Sequence, residues 1–156
     1  SENKFSDFMS VGSMGHISSI ALGLDLGLKN ENKNIICVDG DGSCLMHMGA
    51  LAILGCNKSE RLKYILINNG THDSVGGQET VGFKIDFCKV AEACNFDNVF
   101  KCKNKDELKF VLESDSYKKS HTFIEVIVEI GKSDKLMRPK TTPIKNKENF
   151  IKSINK

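Results

Sequence analysis

No apolar run in this sequence reaches the roughly 18 residues that a membrane-spanning helix needs, because Asp, Lys or Gly interrupts each one well before that length. No charged-then-apolar leader of the secretory kind is present, so the expectation is a soluble, cytoplasmic protein. Proline is scarce, and both copies, Pro139 and Pro143, fall in one polar stretch. The six cysteines, at 37, 44, 56, 88, 94 and 102, form no Cys-x-x-Cys pair and have no histidine at zinc-ligand spacing. That argues against a zinc site and leaves reduced, buried thiols as the expectation. Internal repeats and low-complexity linkers are also missing. The formal charge is only +2, which gives no general case for nucleic acid. The imbalance is local: residues 132–156 carry 8 Lys or Arg against 2 Asp or Glu, a basic segment that reads as solvated surface.

What is present is a chain of 156 residues, 40% hydrophobic and 27% charged, enough to bury a core as one domain. Hydrophobic period and punctuation predict a helix over 13–28, a short buried strand over 34–39 and a second helix over 43–55. A β-branched strand over 63–67 precedes a turn-rich stretch, 68–77. Further on, helices are predicted over 86–94 and 106–113, strands over 98–102 and 122–130, and a short terminal helix over 148–154. Strands separated by helices imply right-handed crossovers, hence an α/β fold with a mostly parallel, twisted sheet and helices on both faces. In such sheets ligands sit beyond the carboxyl ends of the strands. Two predicted strand ends carry unusual residues, Gly40-Asp41-Gly42-Ser43 and Asn68-Asn69-Gly70-Thr71-His72.

Glycines at 40 and 42 allow a sharp strand-to-helix turn and a close ligand approach, and the helix start offers free N–H groups to phosphate oxygens. Ser43 is expected as N-cap and phosphate donor. Asp41 fits anion recognition only if a divalent cation lies between carboxylate and phosphate. An amide oxygen and a backbone carbonyl from the second loop would complete an oxygen-rich set for a hard cation such as magnesium. An ordinary tight turn explains Gly40-Asp41-Gly42 equally well when it stands alone. The spacing argues otherwise: the 25 residues from 43 to 67 form one helix and one strand, so both loops emerge at the same sheet edge. A dinucleotide site fails at the third glycine, where Leu45 stands, and at the ribose-binding acid expected about 20 residues on, where Arg61 and Lys63 lie.

The paired Gly-Asp-Gly and Asn-Asn elements resemble the signature of thiamine-diphosphate enzymes. Further segments narrow the likeness: Val11-Gly12-Ser13-Met14-Gly15-His16, Leu45-Met46-His47-Met48, Asn69 through Gln78, and Arg138-Pro139-Lys140-Thr141-Thr142-Pro143. Together they resemble the diphosphate-binding part of the phosphonopyruvate and sulfopyruvate decarboxylases, a family of thiamine-diphosphate-dependent 2-oxo acid decarboxylases, over nearly the whole chain. Asn68 and Glu79 depart from the family pattern, which has Asp and Pro there. The resemblance implies a thiamine-diphosphate-binding fold in which Asp41, Asn69 and the Thr71 carbonyl ligate magnesium that holds the cofactor's diphosphate. It implies that the Gly12 carbonyl accepts a hydrogen bond from the aminopyrimidine and that Met14 wedges between the cofactor rings, although plain packing also suits a methionine. His72 is the candidate catalytic histidine, touching diphosphate through its backbone and substrate or a proton through its ring. His16, His47 and His121 are expected to be structural, and Met46 and Met48 to pack a helix. Arg138 is a candidate for the substrate's anionic tail.

The implied reaction is decarboxylation of phosphonopyruvate to phosphonoacetaldehyde, with sulfopyruvate as the competing substrate. The implied assembly is an oligomer in which a separate pyrimidine-binding domain or subunit supplies the activating glutamate and buries an apolar surface around Met14 and the first helix. A non-catalytic nucleotide- or phosphate-binding module is the alternative of a different class.

Overall fold

The computed structural model describes residues 7–28, 33–131 and 140–155. They fall into two compact units: Gly15–Gly131, and a smaller one in which residues 7–14 join 140–155. Where sequence alone suggests one domain, each unit is described by itself.

The larger unit runs α1 (Ile17–Gly27), β1 (Ile35–Gly40), α2 (Asp41–Met46), α3 (Ala50–Cys56), β2 (Leu62–Asn68), a 3-10 turn (Asp73–Val75), α4 (Phe87–Ala93), β3 (Asn98–Cys102), α5 (Lys105–Glu113), α6 (Asp115–Lys118) and β4 (Thr122–Ile127). The four strands form one sheet in the order β1-β2-β4-β3, and every pairing is parallel. One sheet face carries Cys37, Leu62, Tyr64, Leu66 and Phe123, packed with Ala21 of α1, Leu51 and Leu54 of α3 and Phe87 and Ala91 of α4. The other carries Ile65, Ile67, Phe100, Cys102, Ile124 and Val126 under Leu108, Val111 and Leu112 of α5 and Tyr117 of α6. The expected α/β architecture, a parallel sheet with helices on both faces, is therefore what the chain forms.

Caps fix several helix starts. Asp86 accepts from the Lys89 amide at 3.2 Å. Asn104 accepts from the Glu107 amide at 2.9 Å, which satisfies one free donor in the first turn of α5, while the Glu107 carboxylate accepts from the amide of Lys103, just before the cap, at 2.7 Å. In the smaller unit, α7 (Pro143–Ile154) starts with Pro143 behind a Thr142 cap, so the terminal helix is longer than its predicted 148–154. Phe8 lies 5.5 Å from Phe150 between ring centroids, and Asn146 donates to the Met9 carbonyl at 2.8 Å.

Several expectations need correction. The first helix starts at Ile17 rather than Ser13, because Gly12 (φ +76°), Ser13 (φ +48°) and Gly15 (φ +89°) take left-handed backbone conformations that a right-handed helix excludes. The helix expected over 43–55 is two helices, broken where His47 adopts φ −139° and ψ 45°. The last strand stops at Ile127, leaving Glu129 exposed beyond it. β1 lies at the sheet edge and is buried on one face only; Ile36 and Val38 are 55% and 56% exposed. Met46 and Met48 are exposed instead of packing a helix, and His16 and His47 flank helices rather than lying inside them. All six cysteines are free, but only Cys37, Cys44 and Cys102 are buried, and Cys56 is exposed. No helix of the described residues is long and apolar enough to cross a membrane.

Candidate functional site

The register of the sheet sets the site. Gly40 at the end of β1 pairs with Ile67 near the end of β2, so the chain leaves both strands at the same edge. Asp39, the last but one residue of β1, is buried and accepts from the Tyr64 hydroxyl at 2.7 Å and from the Gly40 amide at 2.9 Å. Beside it, burial above all, with the neighbouring carboxylates Asp39 and Asp41, pushes the Cys44 thiol up to about 12, and burial likewise raises Cys37. Both stay protonated at neutral pH, so neither serves as a thiolate here.

Gly40 is extended at φ −98° and ψ 155°, and it is the N-cap; α2 starts at Asp41. The expectation that Ser43 caps the helix is corrected accordingly. Its hydroxyl lies inside the helix and accepts from the Gly15 amide at 2.9 Å. Neither Gly40 nor Gly42 needs a positive φ. Gly42 matters for another reason: a side chain there would push against the imidazole of His72 and displace it. The two βα loops thus meet where the His72 ring covers the first turn of α2.

The second loop folds back on itself. His72 donates its amide to the Gln78 carbonyl at 2.8 Å, Thr80 donates to the Gly70 carbonyl at 2.8 Å, and Thr71 faces Glu79 in an isolated antiparallel bridge. Because the His72 amide is engaged in this way, the backbone contact with diphosphate expected from sequence is not available; the ring is. Asn69 is fixed at both ends of its amide: Nδ2 donates to Asp73 Oδ2 at 2.8 Å and Oδ1 accepts from the Thr71 amide at 3.1 Å. An amide oxygen has a second lone pair for a cation. The Thr71 carbonyl accepts no hydrogen bond among the described residues, and its hydroxyl is a buried polar atom without a partner.

Asp41 is 1% exposed and accepts at Oδ2 from the Thr80 hydroxyl. Thr80 and Gly82 escaped sequence reasoning, as did Asn68 as a structural member of the site. Asn68 is fully buried and donates through Nδ2 to the Gly82 carbonyl and to Glu125 Oε1, each at 2.8 Å. Only the departure of Asn68 from the family pattern signalled anything there.

Gly12 and Met14 lie in the smaller unit, Gly12 exposed and Met14 half-buried, and the Gly12 carbonyl accepts from the Ser10 hydroxyl at 3.3 Å. Arg138 falls outside the described residues. His121 is wholly buried just before β4, its Nδ1 shared between the Ser59 and Leu62 carbonyls at 3.2 Å each, a structural placement.

The donor set can be tested against magnesium with thiamine diphosphate. Among the described residues no three His, Cys, Asp or Glu side chains gather to hold a metal, so a soft or multi-carboxylate site is absent from that part of the chain. A carboxylate, an amide oxygen and an unengaged carbonyl, with water and phosphate for the rest, suit a small hard cation. The unpartnered Thr71 hydroxyl adds a buried donor for an oxyanion. The residues fit the group.

A parallel α/β sheet with oxygen ligands beyond adjacent strand ends defines a class of domain that holds a phosphorylated ligand at the switch from strand to helix. The chain belongs to the thiamine pyrophosphate enzymes: the family model for their C-terminal TPP binding domain matches residues 1–126. It is 36% identical over 136 residues to a phosphonopyruvate decarboxylase of Streptomyces viridochromogenes, covering 87% of this chain and 34% of that protein. It is 39% identical over 93 residues to a sulfopyruvate decarboxylase subunit beta of Methanococcus maripaludis, covering 60% of this chain and 49% of the relative. A solved structure from Mycobacterium smegmatis, described as a thiamin diphosphate-dependent enzyme, superposes with a TM-score of 0.64 over 78% of this chain and 23% of its own, at 18% identity. That likeness concerns the fold. The chain spans about a third of the length of the phosphonopyruvate decarboxylases it matches.

Proposed function

We propose that this domain binds thiamine diphosphate through magnesium and serves the decarboxylation of a 2-oxo acid, with phosphonopyruvate as substrate and phosphonoacetaldehyde as product. The observation that carries the reading is the meeting of the two loops: buried Asp41 opens α2 while Asn69 and the unengaged Thr71 carbonyl lie in the adjacent loop that closes on it through Thr80 and His72. In this reading Asp41, Asn69 and the Thr71 carbonyl hold the cation, and the first turn of α2, with Gly40, Gly42 and Ser43, receives the diphosphate. Gly12 and Met14 receive the aminopyrimidine and the bend between the rings. When bound, the cofactor supplies a nucleophilic thiazolium carbon and an electron sink for loss of carbon dioxide.

The chain's own residues bind, orient and screen. The His72 ring is half-buried over Gly42 and moves a proton at the edge of the diphosphate pocket. Arg138 pairs with the anionic tail of the substrate, a role that a planar guanidinium fills well. The activating glutamate comes from a pyrimidine-binding domain or subunit, and the working enzyme is an oligomer. Six free cysteines suit a reducing compartment, and the cytoplasm is the assigned location. Sulfopyruvate is the second substrate reading, supported by the 39% identity to a sulfopyruvate decarboxylase subunit.

The test is calorimetric titration with thiamine diphosphate, with and without magnesium. The parent chain is expected to bind only with magnesium, Asp41→Ala to lose binding without losing the fold, and Asn69→Ala to weaken it less. Equal binding by Asp41→Ala would refute the loop assignment, and phosphate binding without any dependence on thiamine would favour a non-catalytic module. A head-to-head decarboxylation assay of the complete enzyme, in which pyruvate turned over best, would remove the substrate claim alone.

A further inference from the structure

The hydroxyl of Thr80 sits in a directed chain. It accepts from the Gly82 amide at 2.9 Å, which leaves its own proton for Asp41 Oδ2. Asp41 is 1% exposed, and its other oxygen, Oδ1, accepts no hydrogen bond among the described residues. A buried carboxylate with one oxygen tied and the other open is oriented for a single partner, and a fixed ligand needs no reordering when that partner arrives.

The segment that carries Thr80 is itself held. A side chain on Gly82 would place its Cβ 2.5 Å from Asp41 Oδ2 and 2.6 Å from Asn68 Oδ1, so the backbone of residue 82 lies against both. Asn68 grips the Gly82 carbonyl at 2.8 Å, and the same Nδ2 donates to Glu125 Oε1 at 2.8 Å. Glu125 is fully buried, and its Oε2 pairs with Lys101 Nζ at 2.9 Å. A charge-bearing network therefore runs from the interior of β3 and β4, through the end of β2, to the segment lying on Asp41. An asparagine at 68 can donate to Glu125 and to a carbonyl together; an ionised aspartate has no proton for either.

We propose that Thr80 is a positioning residue for the metal-binding carboxylate, fixing Asp41 so that Oδ1 faces the cation, with Asn68 and Glu125 holding the 80–82 segment in place. The proposal rests on the reading of Asp41 as a magnesium ligand. Its test is the magnesium concentration that half-saturates thiamine diphosphate binding to the full chain, measured by calorimetry beside thermal melting without ligand. Thr80→Val keeps the shape and removes the hydroxyl; it is expected to raise the magnesium requirement roughly tenfold, the worth of one hydrogen bond to a charged group. Thr80→Ser should restore the parental requirement and the unliganded melting temperature, whereas Thr80→Val, which strips a partner from buried Asp41 and from the Gly82 amide, should melt lower as well. Gly82→Ala, which crowds Asp41 directly, should raise the requirement as well. An unchanged magnesium requirement in Thr80→Val, whatever its melting temperature, overturns the proposal, and so does a Thr80→Ser variant as impaired as Thr80→Val. If the parent chain itself shows no magnesium-dependent binding, the metal reading fails and takes this proposal with it, an outcome distinct from parental binding that Thr80→Val leaves intact.

Discussion

A methyl group added at residue 42 has no room, since the His72 imidazole occupies its place, whereas one added at residue 40 meets nothing within 4 Å. The two glycines of the motif look equivalent in the sequence and are not. Gly42→Ala is expected to cost about 1–3 kcal/mol of overpacking and to weaken magnesium-dependent cofactor binding, while Gly40→Ala, which meets no protein atom, should keep the parental melting temperature without ligand. Removing the ring as well, in Gly42→Ala with His72→Ala, should relieve the overpacking and recover melting temperature. No recovery would place the strain elsewhere. His121 carries a second residue-scale prediction. Its Nδ1–H donates to carbonyls, its Nε2 is buried without a partner, and Phe96 stacks on it at 4.5 Å. Burial, the largest cause, holds its pKa below the ordinary 6.5. The unfolded chain therefore binds the proton first on acidification, so stability is full above about pH 6.5 and falls as pH drops from there through the lower folded value. Melting temperature against pH should show this slope, and His121→Gln should flatten it. Asp41 was legible as a candidate because a carboxylate between two glycines at a strand end carries its chemistry, and Asn69 and Thr71 were legible through the resemblance of the second loop to the family. Thr80 and Gly82 were not, because their link to Asp41 exists only once the loop turns back and pairs Gly70 with Thr80.

The strands announce themselves through β-branched and apolar runs, and Asn98–Cys102 falls where period and punctuation put it. Helix boundaries fared worse, for a tertiary reason. The apolar period continues through residues 43–55, yet the His47 ring lies 4.2 Å from that of His16 and crowds the place of a side chain on Gly15, contacts between residues distant in sequence that accompany the break between α2 and α3. The exposed face of β1 was equally hidden, because an apolar run reads alike at the centre and the edge of a sheet. Packing between α3 and α4 is tight at one point: a side chain on Gly55 would overlap the Cys94 carbonyl, a backbone group that cannot swing aside. Gly55→Ala, which helix propensity alone would favour by about 1 kcal/mol, is instead expected to destabilise by about 1–3 kcal/mol. Urea unfolding of the two proteins gives the sign; a more stable variant would mean that the α3–α4 contact yields easily.

At the scale of the whole enzyme, the proposed reaction needs a glutamate hydrogen-bonded to the aminopyrimidine, and the described glutamates are engaged otherwise or lie on the surface. Glu125 is buried against Lys101 and Asn68. Glu107 caps the start of α5, and Glu113 and Glu148 pair with Lys109 and Lys145. Glu60, Glu92 and Glu129 are exposed, as is Glu79, which faces Thr71 in the loop assigned to the diphosphate end of the cofactor. The family model that matches is that of a C-terminal binding domain, and the chain covers 34% of its phosphonopyruvate decarboxylase relative. The proposal therefore divides the work: diphosphate and cation on this chain, pyrimidine and activating glutamate on a complementary domain. Supplied with thiamine diphosphate, magnesium and phosphonopyruvate, the 156 residues are expected to release no carbon dioxide, although calorimetry on the same sample should register magnesium-dependent binding. Adding the complementary domain should start turnover, and replacing its activating glutamate by glutamine should stop it while binding persists. Robust carbon dioxide release by the 156 residues alone would mean that this chain activates the cofactor itself, and the division of labour would have to be abandoned.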